Sequence, residues 1–171
     1  LKDEMLDLVA AERVTIYALD TKNQELFSLF KAGQDVKEIR VPKTFASIAG
    51  FTALSRKTIN IRNSYAPAEL QKLHPNLKFD SRWDKTTGYR TTQVLACPIV
   101  FEKYLLGVLQ PINKRGGSGF GAKDEEAAEE LAKQQSDIVK KAEQIAEAAG
   151  EHPDKPRDVQ ADNEDKDKAK A

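Results

Sequence analysis

Cysteine is almost missing from this chain: Cys97 is alone among 171 residues. One thiol excludes an internal disulfide and any Cys-rich metal site, and it fits a reducing, cytoplasmic setting. Cys97 sits mid-strand before Pro98, which reads as buried and inert. Histidine is as scarce. His74 precedes Pro75 in a loop and His152 lies in a polar tail, so no Cys–His couple or metal-ligand set is in view. No apolar run approaches the roughly 20 residues that cross a bilayer, and no secretory signal opens the sequence. Nor is there an excess of either charge. Lys+Arg and Asp+Glu balance at 27 each, which removes the electrostatic pull toward nucleic acid or an anionic membrane. The expectation is a protein that is not an enzyme, holds no metal, and binds neither nucleic acid nor membrane.

What is present organises itself around residues 92–125. Gln93 to Phe101 is an apolar, β-rich run, Glu102-Lys103 a polar break, and Tyr104 to Ile112 the return strand of a hairpin. Asn113-Lys114 then meets the flexible Arg115-Gly116-Gly117-Ser118-Gly119, which lacks the Lys-Ser/Thr of a phosphate-binding loop. Asp124-Glu125-Glu126 opens a long helix, acids being favoured at the positive end of its dipole. A partly buried lysine at a strand end needs an anionic partner, and Asp124, brought back by the loop, supplies one to Lys114. Phe120 is expected to plug the space beneath.

Upstream, residues 1–12 read as a short amphipathic helix through Leu1, Met5, Leu8 and Val9, and the start at Leu1 reads as a piece of a longer protein. Strands are expected over 13–20 and 25–31, with an edge strand at best over 36–41 that Pro42 ends. Ser47 caps a helix over 47–56, a short strand follows at 58–61, and Pro67 starts a short helix to Leu73. Otherwise regular structure thins over 62–91, and a long loop inside a domain is usually functional, here a lid. The final helix is expected over 123–149. Its Ala128, Leu131, Gln135, Ile138, Ala142, Ile145 and Ala149 form a heptad seam, a connector or dimer face. Residues 150–171 are polar and Pro-, Asp- and Lys-rich, a disordered linker.

The sequence resembles a known family at Asn113-Lys114, Phe120 and Asp124-Glu125, which match the Asn-Lys…Phe…Asp-Glu signature of the GAF domains of cyclic-nucleotide phosphodiesterases. The match runs upstream through Val41-Pro42, Ile48-Ala49-Gly50, Asn60-Ile61, Thr87-Gly88-Tyr89-Arg90-Thr91 and Cys97-Pro98-Ile99. It implies an α+β fold: a GAF-like antiparallel β-sheet flanked by helices, with a long C-terminal helix. It places the GAF domain at 13–149. It implies a regulatory small-molecule sensor for a cyclic nucleotide, cAMP or cGMP, signalling to an attached output domain as a homodimer through its terminal helices.

By the same resemblance, the ligand phosphate meets backbone N–H groups of Ile48 and Ala49 at a helix start, where orphan donors and the dipole favour an anion. Thr15 and Phe30 face the base, Asp84, Thr87 and Thr91 belong to the lid, and Gln110 to the last strand. Lys31 stands where the cGMP pattern has a carboxylate and Gln110 where it has a glutamate, and Lys31 accepts no guanine protons. An adenine nucleotide, another ligand, or an empty domain acting as a dimerisation or docking module stay open. So do plainer roles: Phe30 as core, Thr87 and Thr91 as turn caps, and Trp83 as a loop anchor rather than a pocket cover. The signature itself reads as a structural clasp. Reductases of this family that use several cysteines are excluded by the count.

Overall fold

Residues 2–32 and 38–148 are described by the structure, a computed structural model. The chain opens with helix α1 (Lys2–Leu8), followed by the hairpin of β1 (Ala11–Asp20) and β2 (Glu25–Ala32) and the short β3 (Arg40–Pro42). Helix α2 (Ile48–Ser55), β4 (Ile59–Ile61), and helices α3 (Pro67–Leu73) and α4 (Arg82–Thr87) come next. The hairpin of β5 (Val94–Phe101) and β6 (Tyr104–Lys114) leads into α5 (Ala122–Ala148). The strands form one antiparallel sheet in the order β3-β2-β1-β6-β5-β4. The architecture is α+β, with the first and last hairpins joined at the centre through β1 and β6.

Alternation along the strands divides the interior between two faces, as successive side chains in a strand must. Val14 and Ile16 of β1, Leu95 and Cys97 of β5 and Leu109 of β6 pack on one face against Met5, Leu6 and Val9 and against Ala128, Leu131 and Ala132 of α5. Tyr17, Val94, Ala96 and Val108 point the other way, toward Ile48, Phe51 and Ala53 of α2 and Leu70 of α3. The predicted stripe of the first helix is split: Met5 and Val9 are buried and Leu8 is 59% exposed, while Leu1 lies outside the described residues.

Helix α2 begins where Ser47 Oγ accepts from Gly50 N at 3.0 Å, the N-cap the sequence predicts. Gly50 has no alternative there: a Cβ would lie 2.3 Å from Thr44 O and 2.7 Å from Pro42 O. The long helix α5 is held by the clasp. Lys114 Nζ meets Asp124 Oδ1 at 2.5 Å with both side chains mostly buried, and Phe120 is buried beneath the loop. Asn60 Nδ2 donates to Phe120 O at 2.8 Å and to Glu125 Oε1 at 2.7 Å, so an edge strand grips the same turn.

The predicted seam of α5 divides. Ala128 and Leu131 face the sheet together with Ala132 and Ser136, whereas Ile138 is 59% exposed. Side chains of Ala142 and Ile145 lie outside the described residues, as do Ala149 and the predicted linker at 150–171. In the predicted edge strand, residues 36 and 37 lie outside as well, and the observed strand is the shorter β3. Helix α4 corrects the expectation that only α3 interrupts the 62–91 segment. It carries no apolar periodicity and no buried residue, and it stops at Gly88 in the left-handed region, φ 70°.

Candidate functional site

The cavity-side residues of the two central strands form a floor. Arg13, Thr15 and Tyr17 alternate along β1, and Gln110 and Ile112 along β6, with Thr15 and Gln110 directly opposite in register. Over them lies a cavity of about 570 Å³, within the range of small-ligand sites. Its walls are β3 with the loop to Ser47, the first turn of α2 at Ile48 and Ala49, and the 78–91 segment as a roof, including Phe79, Trp83, Asp84, Thr87 and Thr91.

Each wall has a local cause. Ser47 turns the chain into α2, so Ile48 and Ala49 at its first two positions have no intrahelical acceptor for their N–H groups. The roof is sewn down by Asp84, whose Oδ2 accepts from Tyr65 Oη at 2.5 Å and from Thr91 N at 2.7 Å. Ser64 Oγ donates to Thr91 O at 2.5 Å, and Lys78 N to Ala46 O at 3.1 Å, tying the roof to the start of α2. Thr87 Oγ1 donates to Trp83 O at 2.8 Å.

Charge around the cavity leans positive. Arg13, Arg40, Lys78 and Arg82 line it against Asp80 and Asp84, in a chain that is neutral as a whole. Arg82 is largely spent on Asp80 at 2.7 Å, and that pairing holds the Asp80 carboxyl below its usual range. Arg40 reaches Asp20 at 3.2 Å and Glu25 at 3.3 Å. One polar atom on the floor is unmatched: Gln110 Oε1 is buried and has no hydrogen-bond partner among the described residues. Such an acceptor costs about 1–3 kcal/mol unless something donates to it.

No group of three or more His, Cys, Asp and Glu side chains is arranged to hold a metal ion among the described residues. Among them, too, no helix is long and apolar enough to cross a membrane. Burial pushes the Cys97 thiol up to about 12, far from a nucleophile's range.

The GAF domain family model matches residues 3–136. The chain belongs to the GAF domain family. It is 31% identical over 134 residues to a probable 3',5'-cyclic phosphodiesterase of Caenorhabditis elegans, covering 71% of this chain but 17% of that protein. It is 37% identical over 79 residues to the cone cGMP-specific 3',5'-cyclic phosphodiesterase subunit alpha' of Bos taurus, covering 46% of this chain and 8% of that one. The chain thus spans less than a fifth of each. Among solved structures, it superposes on residues 122 to 287 of a methyl-accepting chemotaxis protein with TM-score 0.68 and 18% identity, covering 84% of this chain and 87% of that one. The GAF domain of a phosphoenolpyruvate-protein phosphotransferase from Coxiella burnetii superposes with TM-score 0.65 and 18% identity, covering 86% and 80%. At that identity the likeness concerns the GAF fold.

Of the residues singled out from the sequence, Thr15, Ile48, Ala49, Asp84, Thr87, Thr91 and Gln110 all line this GAF cavity. Phe30 stands opposite Ile16 in β2, but its side chain, like that of Lys31, lies outside the described residues. Trp83, read as a loop anchor, lines the cavity at 37% exposure. Sequence reasoning missed Arg13, Lys78 and Phe79. Arg13 carried a usable signal: it alternates with Thr15 on the same face of one strand.

Proposed function

We propose that this GAF domain is a regulatory sensor whose cavity takes a cyclic nucleotide, cAMP or cGMP, and reports to an output domain. The observation that carries the reading is the convergence on one cavity of free helix N–H donors, surplus positive charge and an orphan acceptor. The first-turn N–H groups of Ile48 and Ala49 suit a phosphate. An amino-bearing base supplies a donor to Gln110 Oε1. Thr15 then sits toward the base, and Asp84, Thr87 and Thr91 belong to the roof that closes on it. Closure stabilises one arrangement through differential affinity, and α5 carries that difference onward. The relatives' names, a probable 3',5'-cyclic phosphodiesterase and a cGMP-specific one, are consistent with this ligand class. Homodimerisation through α1 and α5 belongs to the same proposal, as does a cytoplasmic location.

Titration calorimetry with cAMP and cGMP tests it. Saturable binding of one nucleotide per domain is the expected result, and flat traces for both overturn it. Trp83 is the chain's single tryptophan and lines the cavity, so a nucleotide-dependent change in its emission gives an independent readout.

A second reading rests on the roof's own bonding. Asp84 and Thr87 already hold Tyr65, Thr91 and Trp83, so both side chains have structural work without a ligand. On that reading the domain is a dimerisation or docking module, and both calorimetric traces are flat.

A further inference from the structure

Between the roof of the cavity and the beginning of the sheet stands Tyr89, one residue beyond the Gly88 that ends α4. Its phenol donates to Glu12 Oε2 at 2.6 Å and accepts from Asn113 Nδ2 at 2.8 Å. Its ring lies under the Arg13 guanidinium, 3.3 Å from the centroid. Asn113 does more than hold the phenol. Nδ2 also donates to Arg90 O at 2.8 Å, and Oδ1 accepts from Thr92 N at 2.9 Å and Gln93 N at 3.0 Å. Asn113 sits at φ 52°, a region its residue type tolerates better than most. Burial first, then the Glu12 carboxylate, keep the phenol protonated far above ordinary pH, so the donor is permanent.

We infer that Tyr89 is a positioning residue that joins the cavity roof to the α1–β1 junction, so that the two open and close as one unit. The connection is short. Arg13 both stacks on Tyr89 and lines the cavity, and Glu12 precedes it in β1, two residues after the Ala10 turn that leads out of α1. A roof that lifts must break a phenol–carboxylate bond and an amide–phenol bond together, and both anchors belong to the terminal end of the sheet. The inference supplies a route by which occupancy of the proposed nucleotide site reaches α1, but its first test needs no nucleotide.

That test is amide hydrogen exchange on Tyr89→Phe, which keeps the ring under Arg13 and removes the donor. Exchange is expected to rise about tenfold, the scale of one charge-assisted bond, in both the 82–91 and 9–13 segments, with 124–136 unchanged. Acceleration of 82–91 alone, or of neither, overturns the inference. Glu12→Ala approaches the same contact from the other side in case the tyrosine variant does not fold. It should reproduce the pattern, Glu12→Gln should largely restore protection, and the double variant should be no worse than either single one. Additive effects would sink the coupling. With cAMP or cGMP added, protection should spread to both segments in the wild type and to 82–91 alone in Tyr89→Phe. Should neither nucleotide bind, the proposed ligand fails while the ligand-free exchange still decides the role of Tyr89.

Discussion

Thr15 and Gln110 face each other across the central β1–β6 pairing, and Gln110 Oε1 there is buried with no donor among the described residues. A group kept in that condition is a cost to the domain. Gln110→Leu removes it and is expected to leave thermal stability unchanged or raise it by about 1 kcal/mol. The same variant should weaken nucleotide binding by about tenfold or more, one good hydrogen bond being worth that much. Thermal melts and calorimetry on one preparation check both halves. A fall in stability together with unchanged affinity would argue that Gln110 is only structural.

The Lys114–Asp124 pair offers a pH experiment. Burial opposes ionisation of Asp124, but the hydrogen bonds from Lys114 and from Gly121 N outweigh it and hold the carboxyl below its usual range. A depressed carboxyl contributes stability that is present above the unfolded value, about 3.9, and lost as pH falls through the lower folded value. The side chains are 19% and 17% exposed, between the exposed and buried extremes. Lys114→Met should therefore cost about 2 kcal/mol at neutral pH, lowering Tm by about 4–8 °C. It should also flatten the loss of stability between about pH 5 and pH 2. Melts across that range measure both.

Gly50→Ala is a severe test of the α2 start. The new methyl would meet the backbone oxygens of Thr44 and Pro42, which cannot rotate aside as a side chain can. Overpacking of this kind costs about 1–3 kcal/mol. Denaturant unfolding should show a loss in that range, and any nucleotide binding should fall more than the loss of folded protein explains. Wild-type stability in Gly50→Ala would mean that the Pro42–Ser47 loop yields freely.

Cys97 is expected to be silent toward thiol reagents in the native state. Its pKa is pushed up to about 12 mainly by burial, and its side chain is fully covered between sheet and α5. Labelling should track global unfolding in denaturant. Fast native labelling near neutral pH would show that α5 lifts off the sheet readily.

Much of this architecture was legible in the chain because local chemistry and tertiary use agree. Ser47 accepts from Gly50 N as an N-cap should, and Pro67 begins α3 as a proline at the first helical position does. The clasp was readable before any family signature because Lys114 and Asp124 need each other electrostatically. Other features needed three dimensions. Nothing near Asp84 announces that it will hold Tyr65, nineteen residues back, or that Tyr89 will reach Glu12. Helix α4 has no apolar stripe to betray it, because none of its residues is buried. The hairpins were readable, whereas the central β1–β6 partnership joins residues about a hundred positions apart and leaves no local trace. The α5 seam misled in part. Ala128 and Leu131 are absorbed by the sheet, and the helix turns Ile138 outward three residues after Gln135.

That division of α5 has a mechanical side. The helix runs Ala122–Ala148, a rod of about 40 Å at 1.5 Å per residue. Among the described side chains, the last that packs inward is Ser136, so the helix is gripped through its N-terminal half. A rod held that way is a lever: a bend of about 10° just beyond Ser136, about 18 Å from the helix end, would sweep that end through roughly 3 Å. Shifts too small to notice near the clasp would thus arrive at the far tip as displacements of about half a helical turn.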